Sequence, residues 1–338
     1  MKKIALLLAL LMIAGAFAAC GGSSDSKDPV NNPNTIVSDP EPNGNTPVTP
    51  PVESEPVSTP DSNTTPDPGP DIEDDGKFLT EDPEEFAKEF TGYETITVDN
   101  AALVKGELVL VGTEHSFDAA NATQIVRVKD YNLNGFSSVM TSATKLNYVA
   151  LRKLQELNCD MQKAQSVTYL LCIQAGYLTN DELANLHENY PDEYPEEADK
   201  SDLHTGNAAV LSVFTGAMNY GFRNSAVTKL AQWVEENAAK YGFIQGDDIG
   251  ENAKLRYVGV PHATYMKANG LDLEGYLSQL KNGEKLQITD HRDLTWTVYY
   301  VSAAEGASTE IEVPTGMSYS ISGDNNGGFI VTVKGICQ

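Results

Sequence analysis

Between Ala231 and Tyr265 the spacing of apolar residues changes period several times. Trp233, Ala238 and Tyr241 recur at helical spacing, with Glu235, Glu236 and Lys240 on the other face. Gly242 marks the C-terminal end of that helix. A short apolar pair, Phe243-Ile244, is followed by a polar loop. Leu255 to Val260 then reads as a buried strand, and Pro261 blocks its continuation and opens a second helix at His262. Upstream, Ala143 to Asn158 forms an amphipathic pattern with Leu146, Val149, Ala150, Leu154 and Leu157 on one side. Shorter helices are expected over Asn180 to Glu188 and Asp272 to Lys281.

Strand patterns sit on either side of these helices. Thr95 to Asp99 and Glu107 to Val111 alternate or run apolar. After Asn282-Gly283 the pattern becomes purely strand-like: Leu286 to Thr289, Leu294 to Val301, Thr309 to Val313, Tyr319 to Ser322 and Phe329 to Val333, separated by Gly, Asn and Asp turns. This predicts a small all-β module at 283–338, packed on the main domain or appended to it.

The first residues follow neither pattern. Lys2 and Lys3 precede an apolar run from Ile4 to Ile13, and Ala18-Ala19 precede Cys20. That is the layout of a lipoprotein signal peptide over residues 1–20, with Cys20 as the lipidation site. It places the mature chain on the extracellular face of a bacterial cell membrane, lipid-anchored. Residues 21–77 hold twelve of the 17 prolines, twelve acidic residues and no aromatic one. Such a segment cannot bury enough apolar surface to offset its chain entropy, so a disordered, extended linker is expected. The chain carries 23 basic against 48 acidic residues, a net charge of −25. That balance argues against nucleic acid as a partner.

Several blocks resemble the VanY-type D-alanyl-D-alanine carboxypeptidases, zinc enzymes that trim peptidoglycan stem peptides. The segment WVEENAAKYGFI is similar to the family's W-x-x-E-N-A-x-K-Y-G-F-I. Glu251, Arg256, Tyr257, Val258 and Gly259 match E-P-W-H-F-R-Y-V-G, and His262-Ala263 match its H-A. His115 stands at a family histidine that is not a metal ligand. The resemblance implies an α+β fold over 78–282, a mainly antiparallel sheet with packed helices. It also implies peptidoglycan or a cell-wall peptide as partner, and zinc as the family's cofactor.

The catalytic positions depart from the family. In S-x-H-x-x-G-x-A-x-D, Ser201, Gly206 and Ala208 match, but the zinc-binding His and Asp fall on Leu203 and Val210. The third ligand falls on Lys254. Two hydrocarbons and a cation cannot bind zinc, so the expected metal set is none and the expected cofactor is none. Glu251 stands at the general base, without a metal-bound water to act on. In S-G-Y-R-S-x-x-x-Q, Ser166 and Gln174 match, while the carboxylate-binding Arg is Tyr169. Ser166, Gln174 and Arg256 remain as candidate substrate-binding residues. His204 is one residue off, and on an extended segment that offset turns its side chain to the opposite face. Lys254 either lies near Glu251 and neutralises it or reaches solvent.

No H-x-x-x-H, C-x-x-C or G-x-S-x-G supplies a competing chemistry. Cys159 and Cys172 flank a helix-to-strand connection, as a disulfide or as buried thiols. The leader pattern and the resemblance together imply a surface lipoprotein with a carboxypeptidase-like domain that acts at or binds stem peptides, as a pseudoenzyme. An active metallo-carboxypeptidase with an atypical site and a purely structural lipoprotein are the alternatives.

Overall fold

Alternation along one sheet decides where everything else sits. A computed structural model describes residues 72–337 apart from Phe136, Glu193 and Pro195. The signal peptide, Cys20 and the linker up to residue 71 lie outside the described residues. The described residues fall within one compact unit.

In chain order the described elements begin with a short helix α1 (Pro83–Phe86) and strand β1 (Tyr93–Asp99). Then come β2 (Ile125–Arg127), β3 (Ser138–Val139), β4 (Lys145–Asn147), α2 (Tyr148–Gln165) and β5 (Leu170–Ala175). They are followed by α3 (Asn180–Asn189), β6 (Ala208–Phe214), β7 (Asn219–Gly221), α4 (Thr228–Asn237), β8 (Phe243–Gln245) and β9 (Ala253–Tyr257). Helices α5 (Val260–Asn269) and α6 (Leu273–Asn282) precede β10 (Leu286–Thr289), β11 (Thr295–Ser302), β12 (Ser308–Pro314), β13 (Tyr319–Gly323) and β14 (Gly328–Lys334). The fold is α+β with mainly antiparallel sheets.

The central sheet runs β3-β5-β6-β9-β8, with β7 paired to β6. Only its β3–β5 pair is parallel. Ala209, Leu211 and Val213 of β6, Leu171 and Ile173 of β5, and Ala253, Leu255 and Tyr257 of β9 join one core with the apolar faces of α2 and α4. Leu151, Leu157, Ile173, Leu211, Val234 and Leu255 are 0% exposed. Burying each such side chain contributes about 1.5–3 kcal/mol. Successive side chains on a strand point to opposite faces. The same register therefore sends Val210, Ser212, Lys254 and Arg256 to the other face.

The β-rich C-terminal segment is tied into the domain. Strand β12 pairs with β1 from Tyr93↔Pro314 to Asp99↔Ser308. The sheet β10-β11-β14-β13 packs Ile288, Val298 and Ile330 against Val258, Met266, Tyr276 and Leu280. Its other face carries Phe329, Val331 and Val333 into a core with Ile311 and Val313 of β12. Contacts at the N-terminal side begin inside the stretch expected as linker: Ile72 packs on the main core, and Asp74 pairs with the buried guanidinium of Arg152.

Three local expectations are corrected. Glu107–Val111 is not a strand. Leu108, Val109 and Leu110 are buried, but their polar groups go to single partners: Leu108 N donates to Ser322 Oγ and Leu110 N to the Asp324 carbonyl. The amphipathic helix starts at Tyr148, not Ala143, because Asn147 caps it, accepting from Val149 N and Ala150 N. Residues 202–205 form a 3-10 turn rather than an extended segment. Gly242 does end the helical run as expected. It sits at φ +87, where an added Cβ would come within 2.7 Å of the Tyr257 ring. Cys159 and Cys172 are buried free thiols.

Candidate functional site

The motif SDLHTGNAAV folds as a capped turn running into a strand. Ser201 caps the 3-10 turn Asp202–Thr205, and Gly206, at φ +70, reverses the chain into β6. An added Cβ on Gly206 would meet Ile125 Cδ1, so only glycine fits that corner. The turn sends its side chains in different directions. Leu203 enters an apolar cluster with Ala175, Ala208 and Val210. His204 is fully buried elsewhere, with Nδ1 2.6 Å from the Leu178 carbonyl and Nε2 against the Ala198 carbonyl. It is a structural histidine, as the one-residue offset implied, although the backbone there is helical.

Asp202 points at β9. Strands β6 and β9 pair Val210 directly with Lys254 and Ala208 with Arg256. The Lys254 ammonium lies 3.1 Å from Asp202 Oδ1 and 3.6 Å from Glu196 Oε1. This corrects both sequence alternatives for Lys254: its carboxylate partners are Asp202 and Glu196, and its side chain is only 7% exposed. Burial works against the charged ammonium, but Asp202, Glu196 and Asp247 outweigh it, so the Lys254 pKa is raised. Gly246 makes room for the stem; a Cβ there would come within 2.8 Å of Lys254 Cε.

Arg256 is buried behind this pair. Its Nη2 donates to the Val109 carbonyl, and its Nη1 is 4.0 Å from Asp202 Oδ2. Burial pulls the Arg256 pKa down, with Asp202 acting the other way. Arg256 is therefore committed inside the protein and does not offer a ligand its guanidinium. Ser166 is the left-handed C-cap of α2, at φ 51, beyond the N-terminal end of β5. Gln174, near the C-terminal end of β5, donates to Ser212 Oγ on the site face. Glu251 is exposed, in the turn before β9, and its carbonyl accepts from Arg223 N at 3.1 Å. The four residues expected to line one groove are thus distributed: Gln174 and Arg256 share the sheet face, Glu251 is at its rim, and Ser166 is apart.

Two residues at the heart of the site were not singled out from sequence. Asp202 occupies a variable position of the motif, and Glu196 belongs to a loop that reads as solvated surface. Beside Lys254 an open cleft of ≈ 740 Å³ is lined by Glu196, Lys200, Asp202, Asp247, Lys254 and Glu274, among others.

No family profile matches the chain. A D-alanyl-D-alanine carboxypeptidase of Enterococcus faecium is 29% identical over 254 residues, covering 70% of this chain and 78% of the relative. The crystal structure of the vancomycin-resistance D,D-dipeptidase VanXYg, in complex with a D-Ala-D-Ala phosphinate analogue, superposes with a TM-score of 0.57. It is 21% identical and covers 72% of this chain and 99% of that one. The chain is similar to the D-alanyl-D-alanine carboxypeptidases and shares the fold of VanXYg. A vancomycin-resistance D,D-pentapeptidase VanY variant solved with Zn(II) is 20% identical, with a TM-score of 0.38, over 51% of this chain and 98% of its own.

Zinc is the metal the resemblance implies, and the side chains at the three matching positions do not fit it. Leu203 and Val210 offer hydrocarbon, and Lys254 offers an ammonium already held by two carboxylates. Zinc needs deprotonated N, S or O donors in a tetrahedral set with one open position. What this arrangement can do is present charge: a buried cation flanked by acids, at the wall of an open cleft.

Proposed function

We propose that the chain is a surface lipoprotein, anchored through Cys20, whose VanY-like domain binds peptidoglycan stem peptides without hydrolysing them through zinc. One observation carries this reading. The three positions matching the metal ligands lie in the turn before β6, on β6 and on β9, and they carry two hydrocarbons and an ammonium, which are not zinc donors. Leu203 and Val210 pack together, and Lys254 is paired across the strand from Val210. Binding is favoured over a purely structural role because the cleft beside Lys254 stays open at ≈ 740 Å³. The curated relative is named a D-alanyl-D-alanine carboxypeptidase, and VanXYg was solved with a D-Ala-D-Ala phosphinate analogue. Stem peptides are accordingly the first ligands to offer.

The test uses the purified chain with zinc supplied. Bound metal is measured, D-alanine release from a stem pentapeptide is assayed, and pentapeptide binding is followed by calorimetry. Binding without release and without stoichiometric zinc supports the proposal. Chelator-sensitive release identifies an active metallo-carboxypeptidase with an atypical site. Neither binding nor release leaves a structural role.

A further inference from the structure

A second recess lies at the N-terminal end of β6, apart from the cleft. Its volume is ≈ 50 Å³, and Glu107, Thr123, Gln124, Asn147, Thr205 and Asn207 supply its polar wall. Two of the side-chain donors there are spent. Asn147 Nδ2 donates to the Thr123 carbonyl at 2.9 Å, and Thr205 Oγ1 donates to the Asp202 carbonyl at 2.7 Å. The wall also carries acceptors. Asn207 is only 5% exposed, and its Oδ1 has no hydrogen-bond partner among the described residues. A buried acceptor left unpaired is costly. Burial pushes the Glu107 carboxyl pKa up, and the carboxyl accepts from its own backbone amide. The Thr123 carbonyl keeps a second lone pair. Gln124, on the same wall, is held at φ 54, a backbone region that favours glycine.

We infer that this recess is a binding site for a primary ammonium group, such as the end of a lysine-type side chain. An ammonium brings three N–H donors and one positive charge. The recess offers a carboxylate, an orphaned amide oxygen and a carbonyl with a free lone pair. A divalent metal fits less well: Ca²⁺ takes about 6–8 oxygens, usually from several carboxylates, and this wall has one carboxylate. The volume suits the head of a side chain rather than a whole amino acid. The inference does not depend on what the larger cleft binds.

The probe is Nα-acetyl-lysine N-methylamide, titrated into the full chain by calorimetry, with its Nε-acetylated analogue and Ca²⁺ as separate arms. Saturable binding of the free amine alone is expected. Glu107→Gln, which keeps the shape and removes the charge, should weaken it by about tenfold or more. Asn207→Asp, which adds a charge, should tighten it. Should the Glu107 variant fail to fold, the unaltered chain still decides: affinity must fall as acid protonates Glu107 while the probe stays charged. The inference is overturned by absence of saturation, which would leave water as the only occupant. It is equally overturned by equal binding of the acetylated analogue, by Ca²⁺ binding in place of the amine, or by affinity indifferent to Glu107→Gln and to acid.

Discussion

Replacing Lys254 by Met tests the electrostatic account of the site most directly. Met keeps the stem's apolar volume and removes the ammonium. Asp202 would then remain, 13% exposed at its side chain, without its 3.1 Å partner. Breaking a buried pair from one side costs about 3–5 kcal/mol, because the remaining charge stays desolvated. Two features point to the lower end. Arg256 lies 4.0 Å from the other Asp202 oxygen, and Glu196, at 38% exposure, can turn to water. A loss of about 3 kcal/mol corresponds to a fall in Tm of about 6–12 °C for a domain of this size. The assay is thermal and urea unfolding of the wild type, Lys254→Met, Asp202→Asn and the double variant. The double variant should recover part of the loss, since it removes the stranded charge as well. The sign with pH follows from the raised Lys254 pKa. This pairing stabilises the fold fully below the unfolded lysine value and is lost as pH rises through the folded one. The wild type should therefore lose stability at strongly alkaline pH more steeply than Lys254→Met. A Tm change under about 1 °C, the scale of an exposed pair, would refute the reasoning.

Three further outcomes are expected. Leu203→His, Val210→Asp and Lys254→His combined should bind stoichiometric zinc and gain Tm when zinc is added, while the wild type should not; metal analysis after dialysis decides it, and a combined variant that folds without zinc would show that these positions do not converge as ligands. His262 is fully buried between Tyr276 (2.7 Å) and Thr332 (3.1 Å), and burial pushes its pKa down to about 3. Its neutral form is the folded one, so its contribution is complete above the unfolded value of about 6.5 and falls by about 1.4 kcal/mol per pH unit toward the folded pKa; His262→Gln should flatten urea stability between neutral and acid pH. Leu211→Ala, at a position that is 0% exposed in the main core, should cost about 2–5 kcal/mol, and a loss under half of that in urea unfolding would contradict the packing described for β6.

Much of the scaffold was legible in local pattern. The helix ending at Gly242 and the C-terminal run of strands follow from spacing, because one-sided burial imposes a fixed period on a chain. Alternation puts Lys254 and Arg256 on one face of β9, and the register of β6 against β9 adds Val210 to it. Glu107–Val111 was misread for a physical reason. An apolar run signals burial, and burial without a neighbouring strand gives a coil whose amides find isolated partners such as Ser322 Oγ.

The sequence by itself determined which side chains stand at the three positions matching the family's ligands: two hydrocarbons and an ammonium. Only the tertiary structure decided where the charges went. Asp202 and Glu196 reach Lys254 because a 3-10 turn and a loop far from β9 in sequence fold over it, and Arg256 is withdrawn from any ligand because the Val109 carbonyl lies behind it. Those are long-range pairings, set by how the elements pack, and local spacing carries no record of them.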